Sequence, residues 1–224
     1  MIKVIACIGR KAGMEVEAFQ AYWLNQHPKA VTALPGIRRY VQSHVRPSGY
    51  RGGRELAHDG IAELWFDDLE TLRRLNASPE YAAVLADEAR FIDSARRVFL
   101  LCDEHTIVDG PIPAGAVKNV EFVTKKPGMT VADFQRYWRE VHGPLAARIP
   151  SIRRYVQNHV RPGGYRDGRQ PAYDGLAVTW FESTDAMREG ARTEAYARTR
   201  ADEPNFIDAG RLPIIITAEH VIVG

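Results

Sequence analysis

The chain has 224 residues, 45% of them hydrophobic and 26% charged, with a formal net charge of +2. That length and apolar content suffice for one sizeable core or two small ones, and the near balance of 30 basic against 28 acidic residues leaves no electrostatic footprint for a nucleic-acid partner. No apolar run approaches the roughly 20 residues that span a bilayer, and "MIKVIACIGRK" lacks a signal-peptide core with a cleavage site, so no membrane partner is expected and a cytoplasmic location is the default.

In chain order, "IKVIACIGR" is a short β-rich run. "EVEAFQAYWLNQHPKAVTAL" places Phe19, Tyr22, Trp23 and Gln26-His27 at three- and four-residue spacings, which predicts an amphipathic helix ended by Pro35-Gly36. "IRRYVQSHVRP" then alternates, with Arg38, Tyr40, Gln42, His44 and Arg46 on one face and Ile37, Arg39, Val41, Ser43 and Val45 on the other, so a strand is expected. A Gly- and Arg-rich turn leads into "DGIAELWF", a second β-rich run. A helical stretch from about Leu69 to Arg97, interrupted near "ASPEY", precedes "VFLLCDEHTIV", a final strand. The order is β-α-β-β-α-β, a ferredoxin-like unit.

A constant offset of 115 then repeats the whole pattern: "RRYVQSHVRPSGYRGGR" at Arg38 returns as "RRYVQNHVRPGGYRDGR" at Arg153. The same offset carries Phe19, Tyr22, Trp23 and His27 to Phe134, Tyr137, Trp138 and His142, and Asp59-Gly60 to Asp174-Gly175. A period of this length is the size of a small domain rather than of a solenoid repeat. We therefore expect one repeat over 1–109, a Pro- and Gly-containing linker over 110–116 and a second repeat over 117–224. A four-stranded sheet with helices on one face leaves the other bare. Two such sheets packed together would form an α+β barrel within one chain, a pseudo-dimer.

Four motifs occur in order in each repeat: "AFQAYWLNQH" and "DFQRYWREVH", "LPGIRRYVQSHV" and "IPSIRRYVQNHV", "DGIAELWF" and "DGLAVTWF", and "DEARFID" and "DEPNFID". Together they resemble the EthD family of the dimeric α+β barrel superfamily. The resemblance implies an intramolecular dimeric α+β barrel of two ferredoxin-like repeats and leaves open a homodimer of that pseudo-dimer. The superfamily includes muconolactone isomerases, polyketide cyclases, aromatic monooxygenases and haem proteins, and fungal EthD-type proteins are linked to decarboxylation of aromatic polyketide acids. Fold alone does not choose among these.

The polar face of the alternating strand is expected to line a cavity. Arg46 and Arg161 would anchor a substrate anion there. His44 and His159 would move a proton near neutral pH, and Tyr40 and Tyr155 would donate to a developing oxyanion. His27 and His142 follow the aromatic pairs Tyr22-Trp23 and Tyr137-Trp138, as acid/base groups or as helix-end caps. Trp23 and Trp138 would form an aromatic wall, with helix-on-sheet core packing as the alternative, and Tyr50 and Tyr165 a pocket rim. Asp59 and Asp174 read first as turn residues before glycine, and Asp93 and Asp208 as structural. Glu104-His105 and Glu219-His220 are adjacent on strands and point to opposite faces, which argues against a metal site. The cysteines Cys7 and Cys102 have no counterparts in the second repeat, which argues against a disulfide framework. No zinc-hydrolase, dinucleotide or P-loop motif is present, so chemistry without a cofactor is expected.

These residues suit a cofactor-independent lyase, preferably a decarboxylase, acting on an aromatic or polyketide-like carboxylic acid. The alternatives are an isomerase or cyclase of the same substrate class, a non-catalytic binding protein, and a haem protein or monooxygenase. The repeats also differ: Glu63 corresponds to Val178 and Asp103 to Ala218, and Asn119 and Glu121 stand where the first repeat has Val4 and Ala6. Such differences suggest that one pocket stayed active while the other became structural.

Overall fold

The computed structural model describes residues 1–224. The first repeat contains β1 (Ile2–Ile8), α1 (Val16–Asn25), α2 (Pro28–Val31), β2 (Ile37–Val45), β3 (Gly60–Phe66), α3 (Leu69–Leu75), α4 (Pro79–Glu88) and β4 (Val98–Asp109). The second contains β5 (Val117–Val123), α5 (Val131–Tyr137), α6 (Gly143–Ala146), β6 (Ile152–Val160), β7 (Gly175–Phe181), α7 (Thr184–Gly190), α8 (Glu194–Asp202) and β8 (Ile214–Val223). The strand and helix order matches the sequence expectation, with each expected helix divided in two. At the second division Ser78 Oγ accepts the Tyr81 N–H at 3.1 Å and Pro79 opens α4, an N-cap followed by the residue best suited to a first helical turn.

The strands pair in antiparallel fashion, β3 with β1 and β2, β7 with β5 and β6, β8 with β5 and β4 with β6. Two compact units divide the chain: Met1–Leu101 with Glu219–Gly224, and Cys102–Ala218. Within the first, β3 lies between β1 and β2, with Ala6 opposite Ala62 and Gln42 opposite Ala62 on its other side. Within the second, β7 lies between β5 and β6, with Glu121 and Gln157 both opposite Ala177. Helices cover one face of each sheet. Phe19 and Trp23 of α1 pack over Tyr40, Ala62 and Phe66, and Phe134 and Trp138 pack over Tyr155 and Ala177.

The glycine of each "DG" motif is explained by this packing rather than by a turn. A Cβ on Gly60 would stand 2.6 Å from Trp23 Cζ3 and 2.5 Å from the Ser43 carbonyl oxygen, and one on Gly175 would stand 2.6 Å from Trp138 Cζ3 and 2.4 Å from the Asn158 carbonyl oxygen. Asp59 is buried and accepts the Arg10 backbone N–H at 2.9 Å, while Asp174 accepts the Lys125 N–H at 2.8 Å. Both carboxylates tie the end of the first strand to the start of the third. No helix is long and apolar enough to cross a membrane.

Candidate active site

The alternating strand places Tyr40, Gln42 and His44 under α1, while Ser43 on the other face lies 3.5 Å from Glu63. The helix end explains why. His27 N–H bonds to Tyr22 O at 3.2 Å, one residue further back than an α-helix would reach, which releases the Trp23 carbonyl to accept Gln42 Nε2 at 2.8 Å. Gly143 N–H likewise reaches back five residues to Trp138 O, and that carbonyl also accepts Gln157 Nε2 at 2.8 Å.

Each glutamine is oriented by that carbonyl, because only its NH2 group can donate there. Gln157 Nε2 also donates to the Tyr155 hydroxyl at 3.1 Å, and Trp138 Nε1 donates to the same oxygen at 3.1 Å. With both lone pairs of its oxygen engaged, Tyr155 keeps its own O–H to give away. Tyr40 receives Gln42 Nε2 at 2.8 Å in the same way. The remaining glutamine oxygen faces the histidine, at 2.8 Å for His44 Nε2 and 3.0 Å for His159 Nε2, so these nitrogens carry the protons.

Both histidines are stacked on indoles, His44 on Trp23 at 4.1 Å and His159 on Trp138 at 4.6 Å between centroids. Burial, reinforced by His220 for the one and by His105 and then Arg139 for the other, pushes each down to about 3. They are therefore neutral throughout the physiological range and hold the glutamines rather than exchanging protons at neutral pH.

A cavity lies between helices and sheet in each unit. The first, about 340 Å³, is lined by Trp23, His27, Tyr40, Ala62, Leu64 and Glu88 among others. The second, about 270 Å³, is lined by Trp138, His142 and Tyr155 together with Asn119, Glu121, Thr179, Thr199, Arg200 and Glu203. In both, a histidine is held by an aspartate: His27 Nδ1 lies 2.8 Å from Asp87 Oδ2 and His142 Nδ1 lies 3.0 Å from Asp202 Oδ2. Tyr22 and Tyr137 donate to the other oxygens of these carboxylates at 2.6 and 2.7 Å. Desolvation lowers both histidines despite their aspartates, leaving each a neutral imidazole with Nδ1–H fixed.

The carboxylates set the two cavities apart. In the second, burial raises Glu203 to about 7, with Arg200 opposing and Glu121 adding to the rise. Burial also raises Glu121, against a 3.0 Å hydrogen bond from Asn119 Nδ2 to its Oε1. Two neighbouring carboxyl groups, both raised by burial and Glu203 further by Glu121, hold a proton more tightly than ordinary carboxyls do, the condition for acid and base work at one place. Arg200 Nη1 donates to Glu203 Oε1 at 2.7 Å. The Thr179 hydroxyl, buried in the cavity wall, has no partner.

Of the residues expected from sequence, Trp23, His27 and Tyr40 line the first cavity and Trp138, His142 and Tyr155 the second. His44, Arg46, Tyr50, His159, Arg161 and Tyr165 line neither. Arg161 pairs with Asp103 at 3.4 Å, Tyr165 donates to Asp174 at 2.7 Å, and Tyr50 lies beneath the Arg10 guanidinium at 5.4 Å. The sequence reading missed Glu88, Glu203, Asp87 and Asp202, although "DEARFID" and "DEPNFID" contain all four.

A duplicated α+β domain with a helix-covered cavity in each repeat is the class that fold and site define. The chain belongs to the EthD family: the model of the EthD domain matches residues 11–95 and again 126–210. Among solved structures the chain is similar to an anthrone oxidase-like protein, at 15% identity and a TM-score of 0.68, covering 100% of this chain and 94% of that one. It is also similar to a monooxygenase-like protein from Lactobacillus acidophilus NCFM, at 10% identity and TM-score 0.57 over 98% and 94% of the two chains. A mutant chlorite dismutase from Candidatus Nitrospira defluvii aligns at 10% identity and TM-score 0.53 over 97% and 91%. A search of curated proteins returns no match.

Proposed function

We propose that the second repeat is a general acid/base site that isomerises, cyclises or dehydrates a neutral aromatic or polyketide-like substrate with an acidic C–H bond. The observation that carries this reading is that Glu121, buried Glu203 and buried Tyr155 line one cavity, where desolvation raises both carboxyls. Glu203 as carboxylate takes the proton from carbon. Tyr155, its oxygen already accepting two N–H groups, donates to the carbonyl oxygen as it becomes an enolate. The proton returns at a second position from the Glu203–Glu121 pair, and neutral His142 accepts from a substrate hydroxyl. Each step moves a proton and none requires a redox change.

The arginine-anchored decarboxylation expected from sequence fits these residues less well. Arg161 is outside the cavity, Arg200 is engaged by Glu203, and an anionic substrate would enter beside two acidic groups. The repulsion favours an uncharged substrate.

The test is hydrogen–deuterium exchange at the methylene of anthrone in D2O under anaerobic conditions, followed by proton NMR. The similarity to the anthrone oxidase-like protein makes this the first substrate to try. We expect exchange well above the buffer rate that disappears in Glu203→Gln; exchange at the buffer rate with intact protein, for anthrone and for a panel of aromatic and polyketide ketones, contradicts the reading. The same assay in air separates reprotonation of the carbanion from its consumption with dioxygen uptake.

A further inference from the structure

We propose that the cavity of the first repeat is a separate, non-reactive binding site for a neutral fused-ring aromatic bearing a hydrogen-bond acceptor. Its non-reactive character rests on the acid pair assigned to the second cavity, whereas the binding does not. Four polar residues lining the second cavity, Asn119, Glu121, Thr179 and Thr199, are replaced in the first by Val4, Ala6, Leu64 and Val84, all of which line it. The one carboxylate that is kept, Glu88, is ion-paired with Arg97, whose counterpart in the second repeat is Leu212. The coupled acid pair is thus absent from this repeat.

What remains is recognition. The indole of Trp23 and the ring of Phe66 supply flat apolar walls, and Tyr40, its oxygen held by Gln42 at 2.8 Å, keeps a phenolic proton to donate. A cavity of about 340 Å³ lies at the small end of the range for ligand pockets. A carboxylate-bearing aromatic is disfavoured, because the guanidinium beside the cavity, Arg97, is already engaged by Glu88. The lining is mostly apolar, with His27, Asn76, Tyr81 and the engaged Glu88 as its other polar side chains. The buried Tyr40 hydroxyl, in one lining with Trp23 and Phe66, selects a molecule with an acceptor on a flat ring, such as an aromatic ketone.

The experiment is methyl NMR of the full chain titrated with 1-tetralone, with 1-naphthoate as the charged comparison. We expect 1-tetralone to shift the methyl signals of Leu72, Leu75 and Val84 saturably, and 1-naphthoate to leave them in place at the same concentrations. Ala62→Leu, which fills the cavity, should abolish these shifts while those of Ile149 and Ile214 in the second cavity persist. Tyr40→Phe should weaken binding at the first cavity about tenfold, the scale of one lost hydrogen bond. Shifts confined to the second cavity, equal binding of 1-naphthoate at the first, or full affinity in Tyr40→Phe would overturn the proposal. No turnover is read, so failure of the proposed reaction would leave these readouts unaffected.

Discussion

Gln157 donates through Nε2 to the Tyr155 hydroxyl at 3.1 Å while the same nitrogen donates to the Trp138 carbonyl at 2.8 Å. The tyrosine oxygen is thereby an acceptor from the protein, and its proton is available to the cavity. Tyr155→Phe should lower kcat by about 10² or more, the scale of removing one oxyanion donor. Gln157→Leu should lower it less, because Trp138 Nε1 still reaches the oxygen. Steady-state kinetics of the two variants check the order; a larger loss for the glutamine variant would contradict it.

In the proposed reaction Glu203 can serve as the base only when ionised. With its carboxyl raised to about 7 by burial, kcat/KM should rise with pH through a midpoint near 7, and Glu203→Gln should remove the rise along with roughly 10²-fold or more of the rate. The sign for stability is opposite. A raised carboxyl binds its proton more tightly when folded, so its contribution is fully present below the ordinary value of 4.5 and is lost as pH climbs to about 7. Thermal melts of wild type should therefore fall across that window more than those of Glu203→Gln.

His44 and His159 should show no titration between pH 5 and 8 in their ring proton or nitrogen signals, since burial holds both near 3. Because their folded values lie below the ordinary 6.5, the stability they contribute is present above pH 6.5 and is lost as pH falls toward 3. Replacing His159 by Phe should shrink this acid-side loss. A histidine titrating near 6.5 at either position would show that the ring is not packed as described.

Gly175→Ala should destabilise the second repeat by roughly 1 to 3 kcal/mol, the usual cost of overpacking. The added Cβ meets both the Trp138 ring and the Asn158 carbonyl, and the latter is backbone that cannot swing aside. Denaturant melts and the near-ultraviolet signal of the indole read the effect, and an unchanged midpoint would count against the close approach.

The order of strands and helices was legible because periodicity repeated twice at a fixed offset, each copy checking the other. Alternation along "IRRYVQSHV" correctly grouped Tyr40, Gln42 and His44 on one face. It did not tell what covered that face, and the answer, an indole on each histidine, turns expected proton donors into neutral supports. The Asp–His pairs were not legible because His27 and Asp87 lie 60 positions apart and meet only through the packing of α1 against the second helical segment. Glu121 was visible as a difference between repeats. Its meaning required the burial that places it beside Glu203, which no pattern on a single strand reveals.

The most direct test of the central claim compares Glu203→Gln with Glu88→Gln in one exchange or turnover assay on the same substrate. The two residues occupy equivalent positions and each has an arginine partner, Arg200 for Glu203 and Arg97 for Glu88, but only Glu203 has a second carboxyl, Glu121, beside it. Glu203→Gln should lose about 10² or more in rate, and Glu88→Gln should keep near wild-type activity. Equal losses, or full activity in Glu203→Gln, would contradict that claim.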